Sequence, residues 1–316
     1  MTGRRLVARR TYVGIDLDDV ACYGAIYGFD VGVRNDDPVL SRGLVRLLDL
    51  LDEVGGRATF FCIGRTVDTA LDDGGEAAAA LRRMVRAGHE IGHHGYAHDY
   101  RLVDAPRHAF EADLDRGLTA LERLGTAPVG FRAPGYTHDG DMLDTLVARG
   151  FRYDASVLPS WGYFLARRAV QGLVRLRGRV SASHPRIPWR DFLHTEPFRS
   201  HGELWSLPIS VTPVWRLPMV GTFLLAGPKA LRRHLEREAR RAGVLHLELH
   251  GLDAVDASDP EVPPALVRYA PELRVPVTVR LERLRRLLLD RPRPCEPLAA
   301  WVDTLDRGPI GQGSGP

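Results

Sequence analysis

The chain has 316 residues, of which 44% are hydrophobic and 26% charged, and its formal net charge is +3. These values fit one large or two small soluble globular domains and argue against a disordered or fibrous chain. The small net charge, with no basic run or recognised motif, gives no support for nucleic-acid binding, and the lack of any eighteen-residue apolar stretch excludes a bilayer-spanning helix. Cys22, Cys62 and Cys295 are odd in number, far apart and outside any C-x-x-C pair, so neither a disulfide framework nor a thiolate zinc site is expected.

Taken in chain order, the N-terminus MTGRRLVARRTYVGID is basic and lacks the apolar core of a signal peptide. The expectation is therefore a cytoplasmic location, with peripheral contact at the inner membrane face still open. Short apolar runs then alternate with helical patterns, which predicts a βα-repeated architecture. Strands are expected at 11–16, 58–64, 89–94, 129–133, 151–156, 204–210 and 244–250. Helices are expected at 41–54, 76–87, 107–124, 140–149, 162–177, 229–242 and 278–290. In the first helix, Leu44, Leu47, Leu48 and Leu51 form the stripe of a helix packed on a sheet. The Trp- and Pro-rich stretch 157–228 reads as an insertion at the barrel mouth, and 305–316 as a flexible Gly/Pro tail after a single domain spanning 1–304.

Residues that could do chemistry recur at the ends of these strands. The first strand runs into GIDLDD, where alternation turns Asp16 and Asp18 to one side and Asp19 to the other. Such an acidic turn can be a helix N-cap, but clustered carboxylates also call for a cation or an arginine. GHEIGHHGYAHDY (88–100) holds two i, i+4 histidine pairs, His89 with His93 and His94 with His98. Gly88 and Gly92 favour a strand through HEIGH, which makes the first pair a coincidence of spacing and leaves His94 and His98 to meet across the following turn. GFRAPGY sets Arg132 at another strand end, and VLHLELH directs His246, Glu248 and His250 to one face. Of these, His250 is expected at the mouth, with His246 and Glu248 in an internal network.

In this order, GIDLDD, ATFFCIG, GHEIGHHGYAH, FRAPGY and LELHG resemble the motifs of the polysaccharide deacetylases of carbohydrate esterase family four, over roughly 11–156 and 204–252. The D-L-D-D spacing is similar to that of intracellular Asp-x-Asp members. The resemblance implies an α/β fold, a distorted (β/α) barrel of about seven strands. It also implies a divalent metal held by Asp18, His94 and His98, Asp16 as general base, Arg132 orienting it, and His250 as general acid. The other register would make Asp18 the base and Asp19 a ligand; His89 is an alternative ligand or supporting residue, and Tyr136 and Trp161 are candidates for substrate contact. Asp253 or Asp256 could fix the tautomer of His250, and a backbone N–H near Tyr136 could meet an oxyanion.

Zinc is the first expectation, with cobalt, nickel or manganese also suited to the donor set. The implied reaction is hydrolysis of an N-acyl group, most simply acetyl, on an amino sugar, either a glycan unit or a lipid-linked precursor. Deformylation, cyclic amide hydrolysis or non-catalytic glycan binding are the competing readings. In 163–179, Leu165, Ala169, Leu173 and Leu176 share one side and Arg167, Arg168, Arg175 and Arg179 the other. That pattern suits a helix packed on its own barrel or one lying on a membrane. Nothing in the sequence sets the oligomeric state.

Overall fold

Strand β1 (Arg10–Asp16) lies parallel to β8 (Val244–His250) along its whole length, with Gly14 opposite Glu248 and Asp16 opposite His250. Both are nearly continuous apolar runs, as strands buried on both faces must be. The computed structural model describes residues 9–308. Its remaining strands are β2 (Thr59–Cys62), β3 (Glu90–His93), β4 (Gly130–Phe131), β5 (Tyr153–Asp154), β6 (Phe198–His201) and β7 (Leu204–Ser206). They form one eight-stranded sheet in the order β6-β7-β5-β4-β3-β2-β1-β8, parallel except for the β6–β7 hairpin.

The helices are α1 (Val20–Ile26), α2 (Val45–Glu53), α3 (Gly64–Asp73), α4 (Glu76–Arg86), α5 (Arg107–Glu122), α6 (Gly140–Ala148), α7 (Trp161–Leu176), α8 (Lys229–Arg241), α9 (Pro264–Tyr269), α10 (Val277–Leu289) and α11 (Leu298–Asp306). None is long and apolar enough to cross a membrane. The leucine stripe of α2 and the wide turn before it (Val39–Leu44) is almost wholly buried, packed on β1, β2 and β8 in the main core.

The distorted barrel is present with eight strands instead of about seven. The added strand, β6, reads FRSH, and its residues are only half-buried or exposed, so it carries no apolar alternation. The stretch expected as one insertion divides in two. Residues 161–193 lie at the mouth, but the chain after β7 is part of the wall. Ile209 donates to the Val157 carbonyl (2.9 Å), Ser210 to that of His246 (3.1 Å), and Glu248 to that of Met219 (3.1 Å). Through these bonds and a parallel bridge from Val220 to Glu248, the sheet curls until β8 meets the segment following β7.

At the opposite end, α11 stacks Trp301 on Tyr12 with ring centroids 4.9 Å apart. This helix includes Leu305 and Asp306, where the tail was expected to begin, and Asp306 accepts hydrogen bonds from Arg152, Arg199 and the Trp205 indole. The rest of the expected tail, 309–316, lies outside the described residues.

Candidate metal centre and active site

Asp16 ends β1, and Asp18 follows as the chain leaves the sheet. His94 comes directly after β3, Arg132 directly after β4, and His250 ends β8. Parallel strands put all these ends on one rim, which gathers residues scattered over the sequence.

Asp18 Oδ1 lies 3.2 Å from His94 Nε2 and 3.3 Å from His98 Nε2, and all three side chains are almost completely buried. These residues offer donor atoms that all lie within 4.8 Å of one another. The His94 Nδ1–H donates to the Arg132 carbonyl (2.7 Å), which fixes the tautomer and leaves Nε2 with its lone pair toward the cluster. His98 reaches it from a tight loop, in a left-handed conformation (φ 54°) rare for a residue with a side chain. That loop is anchored by Asp113 of α5, which accepts from the backbone N–H groups of Tyr96 (2.7 Å) and Ala97 (3.0 Å).

Asp18 Oδ1 and both ring nitrogens of His98 are buried and make no hydrogen bond among the described residues. Orphaned polar atoms at this depth are destabilising unless something meets them. One carboxylate oxygen and two imidazole nitrogens converging in this way fit a divalent cation. Burial pushes the Asp18 carboxyl up, but the His98 and His94 rings outweigh that and hold it well below the usual range.

Asp16 stands beside this group. Its Oδ1 accepts from Arg132 Nη1 at 2.6 Å, and its Oδ2 lies 3.8 Å from His94 Nε2. Arg132 is wholly buried, with Nε on the Ala155 carbonyl (3.0 Å), Nη2 on His246 Nε2 (3.1 Å), and the Phe61 ring 4.2 Å from its guanidinium carbon. A β-carbon at Gly14 would come within 2.7 Å of Nη2, so β1 needs glycine for the guanidinium to cross it.

Across the mouth, His250 Nδ1 lies 3.0 Å from Glu248 Oε1, which also accepts from the Tyr136 hydroxyl (2.9 Å). Burial works against a charged His250, but Glu248, with Asp16 and Asp18 behind it, raises its pKa well above the ordinary value. Asp16, Glu248 and His250 form a second convergent group. Its His250–Glu248 contact is already a satisfied ion pair, which suits holding a proton.

Asp16, Asp18, His94, Tyr136 and His250 line a chamber of about 640 Å³, roofed by α7; Arg132 and His98 stand behind its wall. Three sequence candidates fall elsewhere. Asp19 caps α1 by accepting from Cys22 N (2.9 Å) and is also held by Arg65 (3.1 Å) and Thr66 (3.0 Å), so its oxygens are occupied. His89 precedes β3 at the other end of the sheet, where its Nδ1 accepts from Ala58 N (3.2 Å) and burial pushes its pKa down to about 4. Trp161 begins α7 with its side chain outside the chamber, 48% exposed.

The supports expected around His250 are also redistributed. Asp253 accepts from the His250 backbone N–H (2.9 Å), and Asp256 from Ser258 and Val277, so neither reaches the ring. The Tyr136 N–H is bonded to the Ala133 carbonyl (3.0 Å) and is not directed at substrate. Glu248 is the residue sequence reasoning left in the interior. Its spacing, two residues before His250 on the same strand face, is the signal that could have found it.

Residues 26–153 match the family model for polysaccharide deacetylases. A peptidoglycan deacetylase of Helicobacter pylori is 30% identical over 152 residues, covering 46% of this chain and 48% of its own length. A peptidoglycan deacetylase-like protein of Gibberella zeae is 36% identical over 118 residues, 36% of this chain and 32% of that protein. The chain thus spans about half or less of the curated relatives it matches.

Among solved structures, a Mycobacterium smegmatis protein assigned provisionally as a polysaccharide deacetylase aligns with a TM-score of 0.59 at 19% identity, over 100% of this chain and 97% of that one. A 4-alpha-glucanotransferase from Thermococcus litoralis aligns at 0.58 and 12% identity, over 94% of this chain and 40% of that one. At such identities the likeness shows the fold alone, and the second case has the fold under a different activity. The stretch matched by the family model carries His94, His98 and Arg132, and over that stretch the chain is similar to the polysaccharide deacetylases.

Proposed function

We propose that the protein hydrolyses the N-acyl group, most simply acetyl, of an amino sugar, with a divalent cation held by Asp18, His94 and His98. The observation that carries this reading is the buried Asp18–His94–His98 group, with orphaned donor atoms, between an arginine-held carboxylate and a carboxylate-held imidazole. When bound there, the cation, zinc by first expectation and otherwise cobalt, nickel or manganese, would polarise the acyl carbonyl and acidify a water.

The chain's own residues would handle the protons. Asp16 has one oxygen tied to Arg132 and the other directed toward the centre, and it takes a proton from the attacking water. His250 holds a proton at neutral pH and delivers it from Nε2 to the departing amine, while Glu248 keeps Nδ1–H in place. The N-acyl sugar thereby yields a carboxylic acid and a free amine. General acid–base groups of this kind contribute about 10²–10⁴-fold each.

Acetate release from N-acetylated amino sugars tests the reading, with formate release from N-formyl analogues run beside it to decide the acyl group. Asp16→Asn should lower the rate by about 10²–10⁴-fold while metal content stays near one per chain. An Asp16→Asn protein equal to wild type on every acylated sugar would sink the catalytic account.

The same proposal includes a sugar carried on a lipid and peripheral contact of 163–179 with the inner face of a membrane. What supports the contact is the outward stripe of α7, where Leu165 is 53%, Leu173 48% and Leu176 86% exposed. Sedimentation with anionic liposomes should carry the protein down at low salt; no partition under those conditions would refute it.

A further inference from the structure

The chamber does not end at the active site, and its far part has a different chemistry. It continues along the inner face of α7, between that helix, α1 and α9. Residues of α7 that line it fall at helical spacing, so they form one row. Tyr163 stands nearest the catalytic group, Arg167 one turn on, Val170 a turn later, then Leu173 and Val174, and Arg177 at the exit. Ile26 and Tyr27 close the arm from the opposite side. Ile26, Val170, Leu173 and Val174 give this arm its apolar lining. That apolar row suits a chain of methylenes.

Arg167 is the charged residue of that wall one helical turn from Tyr163, with Arg177, Arg268, Glu272 and Arg274 lining the chamber further along. It is half-buried, and among the described residues no carboxylate lies within salt-bridge distance of it. Its Nη groups donate to the carbonyls of Gly135 (2.8 Å) and Arg186, its guanidinium carbon lies 4.6 Å from the Phe164 ring centre, and its Nε is buried without a partner. The ionisable side chains that act on it are Tyr163, Tyr100, Tyr136 and Arg168, none of them a carboxylate. Buried cations ordinarily have an anion.

Resting on the hydrolase reading above, we propose that the substrate is an amphiphile. Its amide lies at the metal centre, a phosphate linkage at Arg167, and an apolar chain along Val170, Leu173 and Val174. The order of groups along α7 sets the order of groups in the ligand. Leu173 is itself 48% exposed, so the chain can leave the arm where the helix presents its outward apolar stripe.

Binding isolates this inference from the catalytic one, because decyl phosphate carries the chain and the anion but no amide. Decyl phosphate should bind wild-type holoprotein at least about 100-fold more tightly than methyl phosphate, through burial of the added methylenes. It should also exceed 1-decanol by about 10–100-fold, the size of a hydrogen bond to a charged group. Arg167→Gln should collapse the preference for decyl phosphate over 1-decanol, Arg167→Lys should keep most of it, and Val170→Asp should collapse the preference over methyl phosphate.

Methyl and decyl phosphate binding within threefold of each other would overturn the proposal. So would an Arg167→Gln protein that loses affinity for decyl phosphate and 1-decanol alike, which would make Arg167 a structural staple. Should Arg167→Gln fail to fold, the wild-type comparison decides alone, equal affinity for phosphate and alcohol overturning the anion site. Acetate release from a methyl glycoside of an N-acetylated amino sugar reports separately on the hydrolase. Decyl phosphate binding without acetate release would leave this inference standing and the hydrolase reading fallen.

Discussion

His250 owes its properties to the residue two positions before it. Glu248 accepts from the imidazole, and its charge outweighs the burial that would otherwise discharge the ring. Because the folded pKa is raised, the imidazolium persists to a higher pH than in an ordinary histidine and is lost as pH rises through the raised value. Its contribution to stability is therefore complete below about 6.5 and disappears on the alkaline side of that window. Glu248→Gln should move the alkaline limb of the kcat/KM profile to lower pH by about 1–3 units, the usual effect of a close opposite charge. A profile that stays in place would show that another group sets the limb.

The catalytic candidates were legible because of where they stand: Asp16, Arg132 and His250 each end or follow a strand, and parallel strands deliver their ends to one rim. Asp19 was misleading for a local reason, since a carboxylate just before a helix has backbone N–H groups waiting for it. His89 was misleading because it sits at the same distance from His93 as His98 does from His94, but at the wrong end of β3. Trp161 shows the limit of composition, which says that aromatic side chains are present and nothing of which way a helix turns them.

At the scale of elements, β1 carries a constraint that its apolar pattern does not reveal. Gly14 lies beneath the Arg132 guanidinium and beside Phe61, so a methyl group there has no room. Gly14→Ala should destabilise the protein by about 1–3 kcal/mol, the range for overpacking, read as a lower melting temperature. An alanine variant that melts with wild type would mean that Arg132 can move aside.

The long elements α4, α5, α8 and α10 were readable from periodicity, whereas α1, α3, α9 and α11 were not. In α3 the sequence GRTVDTALDD has few large apolar residues, and its buried side consists of Gly64, Thr66, Val67 and Ala70. Helix α7 was placed correctly along the chain, but Leu165 and Leu176 of its leucine stripe lie outside, and its chamber face mixes tyrosine, valine and arginine with Leu173. Hydrophobicity alone could not orient a helix whose inner neighbour is a cavity.

For the molecule as a whole, the proposed metal centre would couple the site to the fold. Its candidate ligands come from the β1 end and from the chain after β3, and Asp18 Oδ1 and both His98 ring nitrogens have no hydrogen-bond partner among the described residues. Removing divalent metal with a chelator should therefore lower the melting temperature, and adding it back should restore it, since a ligand bound only by the folded state stabilises that state. Asp18→Asn should show little of this difference. If chelation leaves the melting curve of wild type unchanged, the three residues do not hold a structural share of the cation.

The closure of the sheet by the segment after β7 has a consequence for how the protein behaves among other copies of itself. A mostly parallel sheet of this size would ordinarily leave two unpaired margins, each a template for a foreign strand. Here the outer side of β8 is taken up by Ser210 and Val220. The free margin is β6, which is four residues long, irregular between Arg199 and His201, and charged at its centre. The fold thus resists recruitment into intermolecular β-structure, and it does so with the polar stretch that left no strand signal in the sequence.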